Sequence, residues 1–84
     1  IEDEEIYMKF IEEFNRLVEN KEIYLKRWVG LLKSENALKR VVARRFIEII
    51  ENAEKVDCFD EELFLQMVEK IVVVGGEIEV KFLI

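Results

Sequence analysis

Residues 59–82 read FDEELFLQMVEKIVVVGGEIEVKF, and this stretch decides the fold. Asp60 is placed to cap a helix, with Glu61 and Glu62 in the first turn, where the helix dipole favours carboxylates. Phe59 stands one residue before the cap and Phe64 at the fourth helical position, which is the spacing of a hydrophobic staple. Leu63, Phe64, Met67, Val68 and Ile71 recur on one face, so the pattern predicts a helix over about 60–70. From Ile71 to Val74 every residue is β-branched. Gly75-Gly76 tolerates the positive φ of a primed two-residue turn, and a hairpin is predicted over about 71–83. In its second strand Ile78, Val80 and Phe82 share one face, with Glu77, Glu79 and Lys81 on the other. The first strand is apolar on both faces. That calls for a cover on each side, or for an edge that pairs outside the chain. Ile71 to Val74 and Ile78, Val80 and Phe82 are therefore expected to be packing residues.

Upstream, the pattern is helical. Asp3 is a candidate N-cap, followed by Glu4 and Glu5 in the first turn. Ile6, Phe10, Phe14, Leu17, Tyr24, Trp28 and Leu31 follow at steps of three and four, with Lys21 filling the one polar gap. This predicts a helix over about 3–33, or two nearly collinear ones. Ile11, Val18, Leu25 and Leu32 widen the apolar face to the breadth a bundle uses. Asn20 and Gly30 are points where the chain can bend. Ser34 is a candidate cap for a second helix over about 35–55, with Leu38, Val41, Val42, Phe46, Ile49, Ile50 and Ala53 at helical spacing. The short connection makes the two antiparallel. The expected architecture is mainly α: a small antiparallel helical bundle with a C-terminal β-hairpin, hence α+β.

Composition bounds the rest. A chain of 84 residues is one domain. It buries only about 60–65% of its unfolded surface, so its core has little to spare. Half the residues are apolar, with six Phe, one Trp and two Tyr, and proline is absent, which favours helices over loops. Ile1 is not Met, and Ile84 ends an apolar, strand-like run, so the chain is expected to be a fragment of a longer protein. No apolar run reaches the roughly 20 residues of a membrane span. One cysteine, Cys58, excludes an internal disulfide framework and a multi-Cys zinc site, and fits a reducing, cytoplasmic setting.

Little catalytic chemistry is written in the chain. A nucleophilic mechanism needs Ser, Thr or Cys beside a positioned base. Ser34 is the only serine and a candidate cap, while threonine and histidine are absent. Cys58, near a helix start, could be a reactive thiol; a small buried turn residue is the plainer reading. Glu12-Glu13 and Glu61-Glu62 are adjacent on helices, so neither pair is expected to converge on one point. Gly75-Gly76 has no helix after it and makes no phosphate loop. No enzyme activity, cofactor, metal or small-molecule substrate is expected of these residues.

Charge is segregated along the chain. Residues 1–20 carry seven acids and two bases, residues 21–45 carry eight bases and two acids, and the remainder carries ten acids and three bases. The net charge of −6 argues against DNA as a dominant partner of the free chain. The basic segment, Lys21, Lys26, Arg27, Lys33, Lys39, Arg40, Arg44 and Arg45, could still track a phosphate backbone. The plainer reading pairs these groups internally, as in Glu35 with Lys39 or Arg44 with Glu48. Tyr24 and Trp28 could stack on bases, but their heptad spacing points to core packing. Lys39, Arg40 and Arg44 are the candidate DNA-facing or subunit-facing residues.

The two ends of the chain resemble the carboxy-terminal region of large serine recombinases, the phage integrase and sporulation recombinase type. The resemblance is carried by Phe59 to Phe64, by Val68 to Val73, and by Ile78, Val80 and Phe82. The opening DEEIYMKFIEEFNRLVENK is similar to the helix that follows the zinc ribbon in that family; residues 23–55 match only as helical and charged. The family's nucleophilic serine, arginine cluster and zinc cysteines have no counterparts here, and a coiled-coil insertion is short or absent. The resemblance implies a non-catalytic domain that supports DNA binding by the whole recombinase and contacts other subunits, with a homo-oligomer as the assembly. A self-associating helical module without a DNA role is the alternative.

Overall fold

The computed structural model describes residues 3–84, which form four helices and one antiparallel hairpin. The helices are α1 (Asp3–Glu19), α2 (Lys21–Leu31), α3 (Ala37–Glu51) and α4 (Glu61–Met67), and the strands are β1 (Val68–Val74) and β2 (Glu77–Phe82). The expected mainly helical α+β architecture is what the chain adopts. No helix among the described residues is long and apolar enough to cross a membrane.

The N-terminal stretch is two helices rather than one. Asn20 leaves helical geometry at φ −107° and ψ 32°. Its backbone and side-chain amides both donate to the Arg16 carbonyl, at 3.1 and 3.0 Å, and close α1. Its carbonyl accepts from Ile23 and Tyr24 and opens α2. One asparagine thus ends one helix and starts the next, because its short amide competes for backbone groups. Asp3 lies inside α1 as its first residue, so it is not the cap. Gly30, the other expected bend, lies within α2. The apolar stripe is conserved across the break: Phe10, Phe14, Leu17 and Trp28 are buried, and Tyr24 and Leu31 half-buried.

The second predicted helix is shorter at both ends than its pattern. Asn36, not Ser34, is the N-cap, its Oδ1 accepting from the Lys39 amide at 3.2 Å. Ser34 instead accepts the Asn36 amide at 3.1 Å, forming the turn that leads into the cap. At the far end, Lys21 Nζ donates to the carbonyls of Ala53 at 2.8 Å and Glu51 at 3.4 Å. A cation on the last carbonyls satisfies them where the helix stops. Asn15 makes a reciprocal pair with Val56, donating to its carbonyl and accepting its amide, both at 2.8 Å. These long-range bonds hold residues 52–60 as a connection, where periodicity alone extends the helix.

The stretch 59–82 folds as expected in kind, with one boundary moved. Asp60 caps α4 through a 3.2 Å bond from the Leu63 amide. Phe59 and Phe64 close the staple, with ring centroids 5.4 Å apart. The helix ends at Met67, however, and Val68 is already extended at φ −93° and ψ 128°. The hairpin therefore begins three residues before Ile71. Val68 pairs with Phe82 and Lys70 with Lys81, so Glu69 is the extra residue of a bulge. Gly75 and Gly76 have φ of 59° and 81°, as a primed turn demands, and Val74 pairs directly with Glu77.

The hairpin lies against α1 through β2. Helices α2 and α3 pack together and run antiparallel, since Lys21 at the start of α2 reaches Ala53 past the end of α3 and Arg40 near the start of α3 reaches Ser34 after α2. The core joins these units: Phe10, Phe14, Leu17, Trp28, Val42, Ala43, Phe46, Ile50 and Met67 are buried. Phe46 meets Trp28 edge-on at 5.3 Å and Phe82 at 6.2 Å, and so ties α3 to both α2 and the hairpin. Such edge-to-face contacts add to the area each ring buries. The Leu83 amide donates to the Met67 carbonyl at 2.9 Å and fixes the chain after β2 against the end of α4.

Candidate interaction surface

Ion pairing divides the surface. On α1, Lys9 lies 3.8 and 3.6 Å from Glu12 and Glu13, and Arg16 lies 3.7 and 3.3 Å from the same two carboxylates. The adjacent glutamates, expected to diverge, are bracketed by two shared cations one turn on either side. Lys55 pairs with Glu19, and Lys81 with Glu79 at 3.0 Å. None of the eight bases of residues 21–45 enters an ion pair among the described residues. The expected pairs Glu35–Lys39 and Arg44–Glu48 do not form.

The three candidate contact residues are not one patch. Lys39 and Arg44 are exposed, but at 100° per residue they stand about 140° apart around α3. Arg40 is half-buried, and its Nη1 donates to the Ser34 carbonyl at 2.6 Å. It holds the α2–α3 connection and is a structural residue. Lys21 is likewise engaged at the end of α3, and Arg27 lies over the Tyr24 ring at 5.2 Å, in cation–π range. Trp28 is buried and Tyr24 half-buried, so their packing role is the one adopted. Cys58 is exposed, against the plainer expectation. Its neighbour Phe59 takes the inward position, stacked on Tyr7 at 4.0 Å.

Residues outside the candidate set define the most distinctive feature. Leu38 and Val41, expected on the packed face of α3, are 70% and 55% exposed. Together with Val42, Leu83 and Ile84 they line a groove of about 310 Å³ between the start of α3 and the chain after β2. Lys39 and Arg45 stand on its rim. Arg45 makes only a 3.5 Å contact with the Gln66 carbonyl. Spacing alone gave no signal for this, because Leu38, Val42 and Phe46 stand four residues apart and read as one stripe. The buried residues Val42, Ala43, Phe46 and Ile50 cluster on one side of α3, and Val41 and Leu38 lie about 155° and 95° from their centre. A second exposed apolar area lies on the hairpin, where Val73 and Val74 are exposed and Ile71 and Val72 half-buried. The expected packing of the whole run from Ile71 to Val74 is thus met by its first half only.

Fold and surface together define a small mainly helical α+β domain in which two bases, Lys39 and Arg45, flank an apolar groove. No family model matches the chain, and neither a curated protein nor a solved structure is significantly similar to it.

Proposed function

We propose that the chain is a non-catalytic C-terminal domain of a site-specific serine recombinase, supporting DNA binding and subunit contacts of the whole protein. The observation that carries this reading is the unpaired state of the bases on α2 and α3. Charges left unpaired on a folded surface are available to phosphates or to a partner. The exposed members are Lys26, Arg27, Lys39, Arg44 and Arg45, joined by Lys33 on the connection between the two helices. Arg40 is withdrawn from the contact set by its bond to Ser34. The resemblance of the stapled helix and hairpin to the end of large serine recombinases supplies the family.

Duplex binding at low and high salt tests the DNA part. Affinity should fall steeply with salt, and K39E with R44E should weaken binding at least about tenfold and flatten the salt slope by about one per lost phosphate contact. Equal binding by the double variant, or no binding at low salt, refutes a DNA role. The coding sequence upstream of Ile1 tests the family: paired cysteines at zinc-ribbon spacing support it, and their absence removes it.

The alternative, a self-associating helical module, is favoured by the exposed Leu38, Val41, Val73 and Val74. Stable oligomers that bind no duplex at low salt would select it.

A further inference from the structure

Two grooves on this surface have apolar lining and opposite charge. The groove beside α3 is lined by Leu38, Val41 and Ile84, and its charged residues are bases only, Lys39 and Arg45. The second groove lies between α1 and the hairpin turn, with Met8, Ile11 and Ile78 as its apolar residues. Its acids are Glu5, Glu12 and Glu77, and its single base is Lys9. Lys9 is already flanked by Glu12 and Glu13. Glu5 and Glu77 enter no ion pair among the described residues. Met8, at 64% exposed, stands out of the acidic groove much as Leu38 stands out of the basic one.

We propose that the basic groove of one copy seats the acidic edge of α1 and the hairpin turn of a second copy. The contact rests on the subunit-contact part of the reading above and not on its DNA part. Each side offers what the other lacks. Lys39 and Arg45 gain carboxylates, Glu5 and Glu77 gain cations, and Met8 and Ile78 cover Leu38 and Val41. Like grooves repel, so the pairing is between unlike patches, and charge sets its register and partner choice. A contact of unlike patches is either head-to-tail or made twice around a two-fold axis. A nucleic-acid duplex fits this groove less well, because Leu38, Val41, Leu83 and Ile84 gain nothing from phosphates.

Sedimentation velocity over a concentration series, at low and high salt, tests the proposal. The chain should associate with concentration, and association should weaken at least about tenfold at high salt. K39E/R45E and E5K/E77K should each be monomeric while melting like the parent chain. Mixed in equal amounts, the two variants should associate again, because each supplies the patch the other has lost. A parent chain that stays monomeric throughout, association that survives either charge reversal, or a mixture that remains monomeric overturns the proposal. If a variant melts early, L38Q read for association alone replaces it, and undiminished association of that variant is equally fatal. Duplex binding by the parent chain separates this contact from the DNA role: salt-sensitive binding by a parent chain that stays monomeric sinks the contact and leaves the DNA reading standing.

Discussion

Helices α1 and α3 are of similar length, 17 and 15 residues, and each buries an apolar face, yet their outer surfaces differ in kind. On α1 the charges meet one another: Lys9 and Arg16 bracket Glu12 and Glu13. On α3 the bases Lys39, Arg44 and Arg45 project from among exposed Leu38 and Val41 and enter no ion pair among the described residues. Both helices are rich in charge. On α1 acid and base stand three and four residues apart and meet as neighbours. On α3 Arg44 and Arg45 stand four and three residues before Glu48, yet neither pairs with it. Spacing on a helix therefore permits a pair without securing it, and the folded surface decides which charges are engaged.

Substitutions that exchange the roles of the two faces test this contrast. The largest effect belongs to the shared core. Phe46→Ala should cost about 3–5 kcal/mol, because it empties a fully buried site between Trp28 and Phe82. Leu38→Ala, on the outward side of the same helix, should stay within about 0.5 kcal/mol. Urea unfolding of both variants reads the difference, and equal losses would show that Leu38 is packed.

Next comes the link from α1 to the connection after α3. Asn15→Ala leaves the Val56 amide and carbonyl without their 2.8 Å partners and should cost about 1–3 kcal/mol. The smallest effect is expected on the ion-paired face. Arg16→Ala should change stability by less than about 1 kcal/mol, since exposed pairs contribute little. A loss from Arg16→Ala as large as that from Asn15→Ala would mean that the α1 lattice is structural after all.

Much of the fold was legible in the residues. The staple of Phe59 and Phe64, the cap at Asp60 and the turn at Gly75-Gly76 are local devices, set by neighbours in sequence, and all three form. The alternation of Ile78, Val80 and Phe82 likewise named the face that turns toward the helices. The candidate surface was legible in part. The basic segment was visible and largely left unpaired, but Arg40 could not be told from Lys39 until its bond to Ser34 was seen.

Sequence by itself determined the element types, the inward stripes of α1 and β2 and the turn, because hydrogen-bonding residues at caps and the periods of helix and strand act over a few residues. Tertiary structure decided where elements stop and which charges are engaged. Lys21 closes α3 across 32 residues, and Asn15 holds Val56 across 41. Met67 hands α4 to β1 early because Val68 must pair with Phe82. Leu38 and Val41 remain outside because α3 turns only one side to its neighbours. Such bonds and contacts join groups that the chain brings together only by folding, so no local pattern announces them.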